Sequence, residues 1–194
     1  MSEASFQPII GCFGDPLAGN PMQLLMERAF QAAGLDWRFL SLEVPVERFE
    51  EAVRGARAMG FRGAAFATPH QVAAVPLLDR LTPEAEAIGA VNCAVRTNGE
   101  WIGDNTDGRG FMMSLEPLID PADKSIVVLG AGGTARAVAI ELAQRKPSSI
   151  TIVNRTPERG EALAEVIRQR FSILATAVGW QPGWSLPAET SLLV

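Results

Sequence analysis

Residues 125–135 read SIVVLGAGGTA, an apolar run followed by a glycine-rich turn, and this stretch decides the fold of the second half of the chain. Gly130, Gly132 and Ala135 fill the small-residue places of the pattern G-x-G-x-x-G/A between an apolar strand and a helical stretch. The first glycine permits a tight turn, the second lets a pyrophosphate approach the backbone, and the third small residue lets helix and strand pack closely. Free N–H groups at the helix start can then bind phosphate. We therefore predict a dinucleotide site at Gly130, Ala131, Gly132, Gly133, Thr134 and Ala135; the alternative is that the glycines only shape a tight turn.

The next strand indicates which dinucleotide would bind. About 20 residues after the glycines, an NAD site usually carries an Asp or Glu that binds the ribose 2′-hydroxyl. Residues 151–159 read TIVNRTPER, so the strand ends without that acid. Because a guanidinium pairs well with a 2′-phosphate, this segment predicts NADP rather than NAD. The residues predicted to bind it are Asn154, Arg155, Thr156 and Arg159. The alternative is that the two arginines are solvated residues of a helix start, where a cation opposes the helix dipole.

The first part of the chain alternates strand-like and helix-like segments. Strands are predicted near 8–13, 37–44 and 61–68, helices near 21–33, 46–59 and 70–79, and a hairpin around Asn98-Gly99. This βαβαβα order predicts a mainly parallel α/β sheet with a mixed edge. A helix is expected over 108–118, followed by the Pro/Asp-rich segment 117–124. We therefore predict two α/β domains, residues 1–119 and residues 120–194.

Composition limits the classes of partner. The 194 residues are 47% apolar and carry a formal net charge of −5, which excludes wholesale disorder and argues against nucleic acid or an anionic membrane as the main partner. No basic leader and no apolar run of membrane-spanning length occurs. Cys12 and Cys93 lie in apolar runs, which favours buried free thiols over a disulfide. We expect a cytoplasmic protein that binds a small molecule.

Four motifs occur in one order: TPEAEAIGAVNCAV, GDNTDGRGF, GAGGTARAV and NRTPER. In this order they resemble the shikimate dehydrogenase family, from about Pro8 to the last residue. The resemblance implies a substrate domain of α/β type, then a Rossmann NADP-binding domain, and the reversible reduction of 3-dehydroshikimate to shikimate in aromatic amino-acid (chorismate) biosynthesis. It also implies that Asn92 binds substrate and that Asp107 is the Asp of the family's catalytic Lys–Asp pair. From the residues alone, Asp107 is equally consistent with a turn or helix cap.

Other positions depart from the family pattern. Gln71 stands where the family has its catalytic Lys, and a neutral amide cannot act as an acid or base. Ala65 and Ala67 replace an Asn and a Thr, and Asn20 replaces a serine of the segment that grips the substrate carboxylate. We therefore expect an altered cyclic hydroxy/oxo-acid substrate, or impaired catalysis. The only histidine, His70, is expected to have a packing or helix-start role.

Family members continue beyond the point where this sequence stops, so we expect an incomplete Rossmann domain. Two functions remain open: an NADP-dependent oxidoreductase, and a non-catalytic NADP-binding relative that acts as a sensor or partner protein. The sequence predicts no metal site and no particular oligomeric state.

Overall fold

The computed structural model describes residues 6–194. The chain forms two compact units, Met1–Asn105 and Thr106–Val194. Each unit holds one sheet with its own helices, in agreement with the α/β class predicted from the sequence.

The first unit is built on a six-stranded mixed sheet of order β2-β1-β3-β5-β6-β4. Strands β1, β2 and β3 run parallel, while β5 is antiparallel to both β3 and β6. Its elements are β1 (Ile9–Gly14), α1 (Met22–Ala32), β2 (Arg38–Glu43), α2 (Phe49–Ala58), β3 (Gly63–Phe66), β4 (Arg80–Leu81), α3 (Pro83–Ile88), β5 (Cys93–Thr97) and β6 (Glu100–Asp104). The hairpin turn between β5 and β6 has positive φ at Asn98 (52°) and Gly99 (87°), as an Asn-Gly hairpin turn requires.

Two segments of this unit differ from the sequence-based prediction. The helix expected over 70–79 is instead a series of turns with a 3₁₀ helix at Val75–Leu77. Helix α3 was not predicted, although its start carries an evident signal: Thr82 Oγ1 accepts the N–H of Ala85 at 3.2 Å and a proline follows directly. Gly89, with φ of 70°, caps the end of α3, and β5 then begins at Cys93.

Aromatic side chains dominate the core of the first unit. The Phe13 and Phe66 rings stack with centroids 6.0 Å apart, and Phe49 from α2 meets both rings edge-on. All three side chains are almost fully buried. This packing anchors α2 on the parallel strands and leaves their carboxyl ends free to carry polar loops.

The second unit has a four-stranded, all-parallel sheet of order β10-β7-β8-β9. Its elements are α4 (Asp107–Leu115), β7 (Ser125–Leu129), α5 (Gly133–Gln144), β8 (Ser149–Asn154), α6 (Pro157–Phe171), β9 (Leu174–Gly179) and β10 (Leu192–Leu193). The central strands are nearly continuous apolar runs, with Ile126, Val127, Val128, Ile150 and Ile152 buried, as expected for a sheet covered on both faces.

The boundary between the units precedes α4, whereas we predicted it near residue 120. The reason is a close contact that sequence reading does not reveal. A Cβ added to Gly108 would lie only 2.6 Å from the carbonyl oxygen of Ala137 in α5, so the absent side chain lets α4 pack directly on α5. Across residues 6–194, no helix has both the length and the apolarity to cross a membrane.

Candidate functional site

The turn after β7 has the geometry of a phosphate-binding turn. Gly130 has φ of +108°, a conformation that L side chains rarely adopt, and its N–H donates to the carbonyl oxygen of Val153 at 2.7 Å. A Cβ on Gly130 would stand 3.7 Å from that of Ala135, so a small residue on α5 faces the turn. A Cβ on Gly132 would meet no described atom within 4 Å. The described residues do not demand glycine at position 132, but the close approach of a ligand would.

Helix α5 begins directly at this turn. Its N-cap is Gly132 in an extended conformation, and no side chain caps the helix. The first N–H groups of a helix lack intrahelical partners, so those of Gly133, Thr134 and Ala135 face the space beside Gly132. Together with the positive end of the helix dipole, they form a suitable site for a phosphate group.

The carboxyl end of β8 adds two cations to the same region. Arg155 and Arg159 are exposed, and neither forms an ion pair with any residue in the range 6–194. Asn154 supports the loop that carries them, because its Nδ2 donates to the carbonyl oxygen of Thr156 at 2.8 Å. The bond between Gly130 and Val153 joins this strand end to the glycine turn. The predicted dinucleotide residues are therefore neighbours at one edge of the second sheet.

Two residues beside this region were not singled out from the sequence. Arg136, the fourth residue of α5, is half-buried, and its burial lowers the pKa of its guanidinium from the ordinary value. Trp180 directly follows β9. Its backbone N–H donates to the carbonyl oxygen of Asn154 at 3.0 Å, and the residue is 49% exposed. Arg136 lies in the helix that follows β7, and Trp180 directly follows β9. Inspection of the residues after each strand could therefore have identified both.

In the first unit, two of the predicted site residues come together. Gln71 follows β3, and its carbonyl oxygen accepts the N–H of Val91 at 2.9 Å. The next residue, Asn92, accepts the N–H of Phe66 at 2.8 Å through its own carbonyl oxygen. Both side chains are half-buried at the carboxyl edge of the parallel strands, where α/β sheets place their ligands.

A small polar network supports this edge. Asp104, at the end of β6, accepts the Thr82 hydroxyl at 2.8 Å and the N–H of Asn105 at 2.8 Å through Oδ1, while its carbonyl oxygen accepts the N–H of Asn92 at 3.1 Å. The buried Asn105 in turn donates Nδ2 to the carbonyl oxygen of Ala90 at 3.1 Å. These bonds hold the segment before β5 on both sides and so limit the positions open to Asn92.

The other two predicted site residues occupy helix starts. Asn20 accepts the N–H of Met22 through Oδ1 at 2.9 Å, ahead of α1, and Pro21 forms the N-cap rather than the first helical residue. Asp107 is the first residue of α4, in the second unit, and is half-buried. A carboxylate in the first turn of a helix interacts favourably with the helix dipole.

His70 is a core residue. Its ring is fully buried and stacks on Phe49 at a centroid distance of 4.1 Å and an interplanar angle of 5°. Nε2 lies 2.7 Å from the carbonyl oxygen of Val44, which can only accept, so Nε2 carries a proton. Nδ1 is buried without a hydrogen-bond partner in the described structure. The ring therefore has a packing role, as we expected.

Cys12 and Cys93 are both thiols and do not form a disulfide with each other. Cys12 is buried within β1, and this burial raises the pKa of its thiol, which makes it unreactive. Cys93 is half-buried, with Sγ 3.8 Å from the carbonyl oxygen of Asp104.

Comparison with known proteins gives two family matches. Residues 13–94 match the model of the shikimate dehydrogenase substrate binding domain, and residues 115–177 match that of shikimate / quinate 5-dehydrogenase. The shikimate dehydrogenase (NADP(+)) of Methanopyrus kandleri is 40% identical over 173 residues, which cover 88% of this chain and 60% of that protein. The chain thus spans about three fifths of the length of the curated relatives it matches.

Two solved structures extend the comparison. The ligand-free 5-ketofructose reductase of Gluconobacter sp. strain CHM43 has a TM-score of 0.88 at 40% identity, covering 97% of this chain and 69% of its own. The shikimate 5-dehydrogenase of Thermus thermophilus, in complex with NADP(H) and shikimate, has a TM-score of 0.77 at 33% identity, covering 87% of this chain and 62% of its own. By sequence and by structure, the chain belongs to the shikimate dehydrogenase family.

Proposed function

We propose that the chain forms the substrate-binding and NADP-binding parts of an oxidoreductase that interconverts a hydroxyl and a carbonyl group on a small polyhydroxylated compound. The observation that carries this proposal is the pairing of an open glycine turn with two arginines that have no ion-pair partner among residues 6–194. The 2.7 Å bond from the N–H of Gly130 to the carbonyl oxygen of Val153, two residues before Arg155, supports a shared site for the turn and the arginines. The NADP(+)-dependent relatives support the same cofactor.

The residues present fit NADP in three respects. The backbone at Gly132 leaves open space, in which a pyrophosphate can approach closely. The uncapped start of α5 offers N–H groups to that pyrophosphate. Arg155 and Arg159 offer guanidinium groups to a 2′-phosphate, to which they can donate charge-assisted bonds. When bound, the nicotinamide would supply or accept a hydride.

Two further roles, substrate binding and proton transfer, are proposed for residues outside the cofactor site. Asn92 would orient the substrate through its amide, which can both donate and accept hydrogen bonds. Asp107 would hold the reacting hydroxyl and exchange its proton as the carbonyl forms or is reduced; such general acid–base help contributes a factor of about 10² to 10⁴. The amide of Gln71, at the position of the family's Lys, can hydrogen-bond a substrate oxygen but cannot transfer a proton to it. This substitution is the basis for proposing an altered substrate or a slower reaction.

Two substrate classes are open, and a cyclic oxo acid such as 3-dehydroshikimate is the one that the names of the curated relatives support. A neutral polyhydroxy ketone is the second, and two observations favour it. Asn20 Oδ1 accepts the N–H of Met22, so this oxygen already has a hydrogen-bond partner at the start of α1. The similar protein from Gluconobacter is a 5-ketofructose reductase, and 5-ketofructose carries no carboxylate.

The test is NADPH consumption with each class of ketone. We expect turnover of 5-ketofructose to exceed that of 3-dehydroshikimate, and we expect Gln71→Lys to raise kcat/KM for 3-dehydroshikimate by about 10² or more, as a restored proton donor should. Gln31→Lys on the exposed face of α1 adds the same charge away from the site and serves as the matched control. Binding of NADPH without turnover of any ketone would favour the sensor alternative, and failure to bind NADPH would refute the proposal.

A further inference from the structure

Three arginines lie in one register row at the amino edge of the first sheet, opposite to the edge that carries Gln71 and Asn92. Ile9 of β1 pairs with Arg38 of β2. On the other side of β1, Arg62 donates its N–H to the carbonyl oxygen of Ile9 at 2.8 Å, and Arg96 of β5 donates its N–H to that of Arg62 at 2.9 Å. Residues that share a register row point to the same face of a sheet. The three side chains therefore project from one face at one edge.

The described structure supplies no counter-charge for this row. Arg38, Arg62 and Arg96 form no ion pair with any residue from 6 to 194, and Asp36, near Arg38 in sequence, instead accepts Nε2 of Gln7 at 2.6 Å. Like charges directly opposite each other on neighbouring strands are destabilising. The chain as a whole is acidic, with a formal net charge of −5, so overall composition does not explain a local group of three cations.

The row faces a cavity. A concavity of about 800 Å³ is lined by the three arginines together with Phe61, Met59 and Ile9. Arg96 is half-buried, while Arg38 and Arg62 are exposed at the rim. Met59 is 72% exposed, so the cavity combines cationic groups with an accessible apolar wall. This size is typical of a small-molecule site.

We propose that this cavity, the arginine-row cavity, binds a small multivalent oxyanion, a compound that carries two or more phosphate or carboxylate groups. Guanidinium groups bind both kinds of oxyanion through paired, charge-assisted hydrogen bonds. Strands in a sheet are about 4.8 Å apart, so Arg62 and Arg96 start one spacing apart and Arg38 lies two spacings from Arg62. The outermost pair, Arg38 and Arg96, start about three spacings apart, so a ligand with two separated anionic groups matches the row better than a single small ion does. None of the residues that line it belongs to the glycine turn.

Calorimetric titration with pyrophosphate and with citrate tests the proposal and separates phosphate from carboxylate ligands. The double variant Arg62→Gln/Arg96→Gln should weaken binding of the preferred probe by about 100-fold, because each guanidinium that is removed should weaken binding by about tenfold. The matched control Arg28→Gln/Arg54→Gln removes two exposed charges from helices α1 and α2 and should leave the affinity within about twofold.

Pyrophosphate could also bind at the glycine turn, so a second control is required. Arg155→Gln/Arg159→Gln should leave the arginine-row affinity unchanged, and the arginine Nε–H resonances of Arg38, Arg62 and Arg96 should shift when the preferred probe is added. The single variant Arg38→Gln, at the exposed rim, provides the same test if the double variant does not fold. Equal weakening in the Arg28→Gln/Arg54→Gln variant, or no response of these resonances to either probe, would overturn the proposal.

Discussion

Replacing Gly108 with alanine should loosen the packing of α4 on α5. The new methyl group would lie 2.6 Å from the carbonyl oxygen of Ala137 and 3.0 Å from Cβ of Glu141, so backbone must move to admit it. Overpacking of this kind costs about 1–3 kcal/mol, and the better helix propensity of alanine returns at most about 1 kcal/mol. We expect a net loss of about 1–2 kcal/mol in the free energy of unfolding.

The same helix offers a matched control. A Cβ on Gly110 would meet no described atom within 4 Å, so Gly110→Ala should stabilise α4 by about 0.4–1 kcal/mol. Urea unfolding followed by circular dichroism would measure both variants. Because Asp107 precedes Gly108 directly, Gly108→Ala should also lower turnover more than it lowers NADPH affinity. Stabilisation by Gly108→Ala, or equal effects of the two substitutions, would refute the close-packing argument.

Two further predictions concern single groups in the first unit. Both Asp79 carboxylate oxygens accept from the Arg57 guanidinium, at 2.8 and 2.6 Å, and Oδ2 also accepts the N–H of Trp101 at 2.7 Å, which together lower the pKa of Asp79. A lowered folded-state pKa stabilises the protein above the unfolded pKa of about 3.9, and this contribution is lost as the pH falls through the folded value. Asp79→Asn should therefore cost about 0.5–1 kcal/mol at pH 7 in urea unfolding and progressively less in acid, and a constant cost would contradict the assignment. In thiol labelling of the folded protein, Cys93 should react before Cys12, because burial raises the pKa of the Cys12 thiol. Equal labelling rates would contradict the burial argument.

The cofactor-side structure was predictable because its signals are local. Gly130 and Gly132 shape one turn between a strand and a helix, and Arg155 follows the next strand, so a short window contains each of these features. The mixed edge of the first sheet was predictable for the same reason, since Asn98 and Gly99 specify a tight hairpin.

Features that depend on contacts between distant segments were not predictable. The unit boundary depends on the approach of Gly108 to Ala137, which no local pattern reveals. The arginine row depends on the register of four strands that are separated in sequence. Helix α3 was missed for a different reason: its Thr82-Pro83 start is a valid signal, but six residues are too few to show helical periodicity.

The relative affinity for NADPH and NADH tests the proposed cofactor site most directly. A guanidinium–phosphate contact contributes about 1.5–3 kcal/mol, so the wild-type chain should bind NADPH at least about tenfold more tightly than NADH. Arg155→Gln/Arg159→Gln should bring the two affinities within about twofold, mainly by weakening NADPH binding. Binding can be followed by quenching of Trp180 fluorescence, because Trp180 contacts Asn154 in the proposed site. The Trp180→Phe variant is the control that assigns the signal to this residue. Equal affinities in the wild-type chain, or a preference that survives removal of both arginines, would contradict the account.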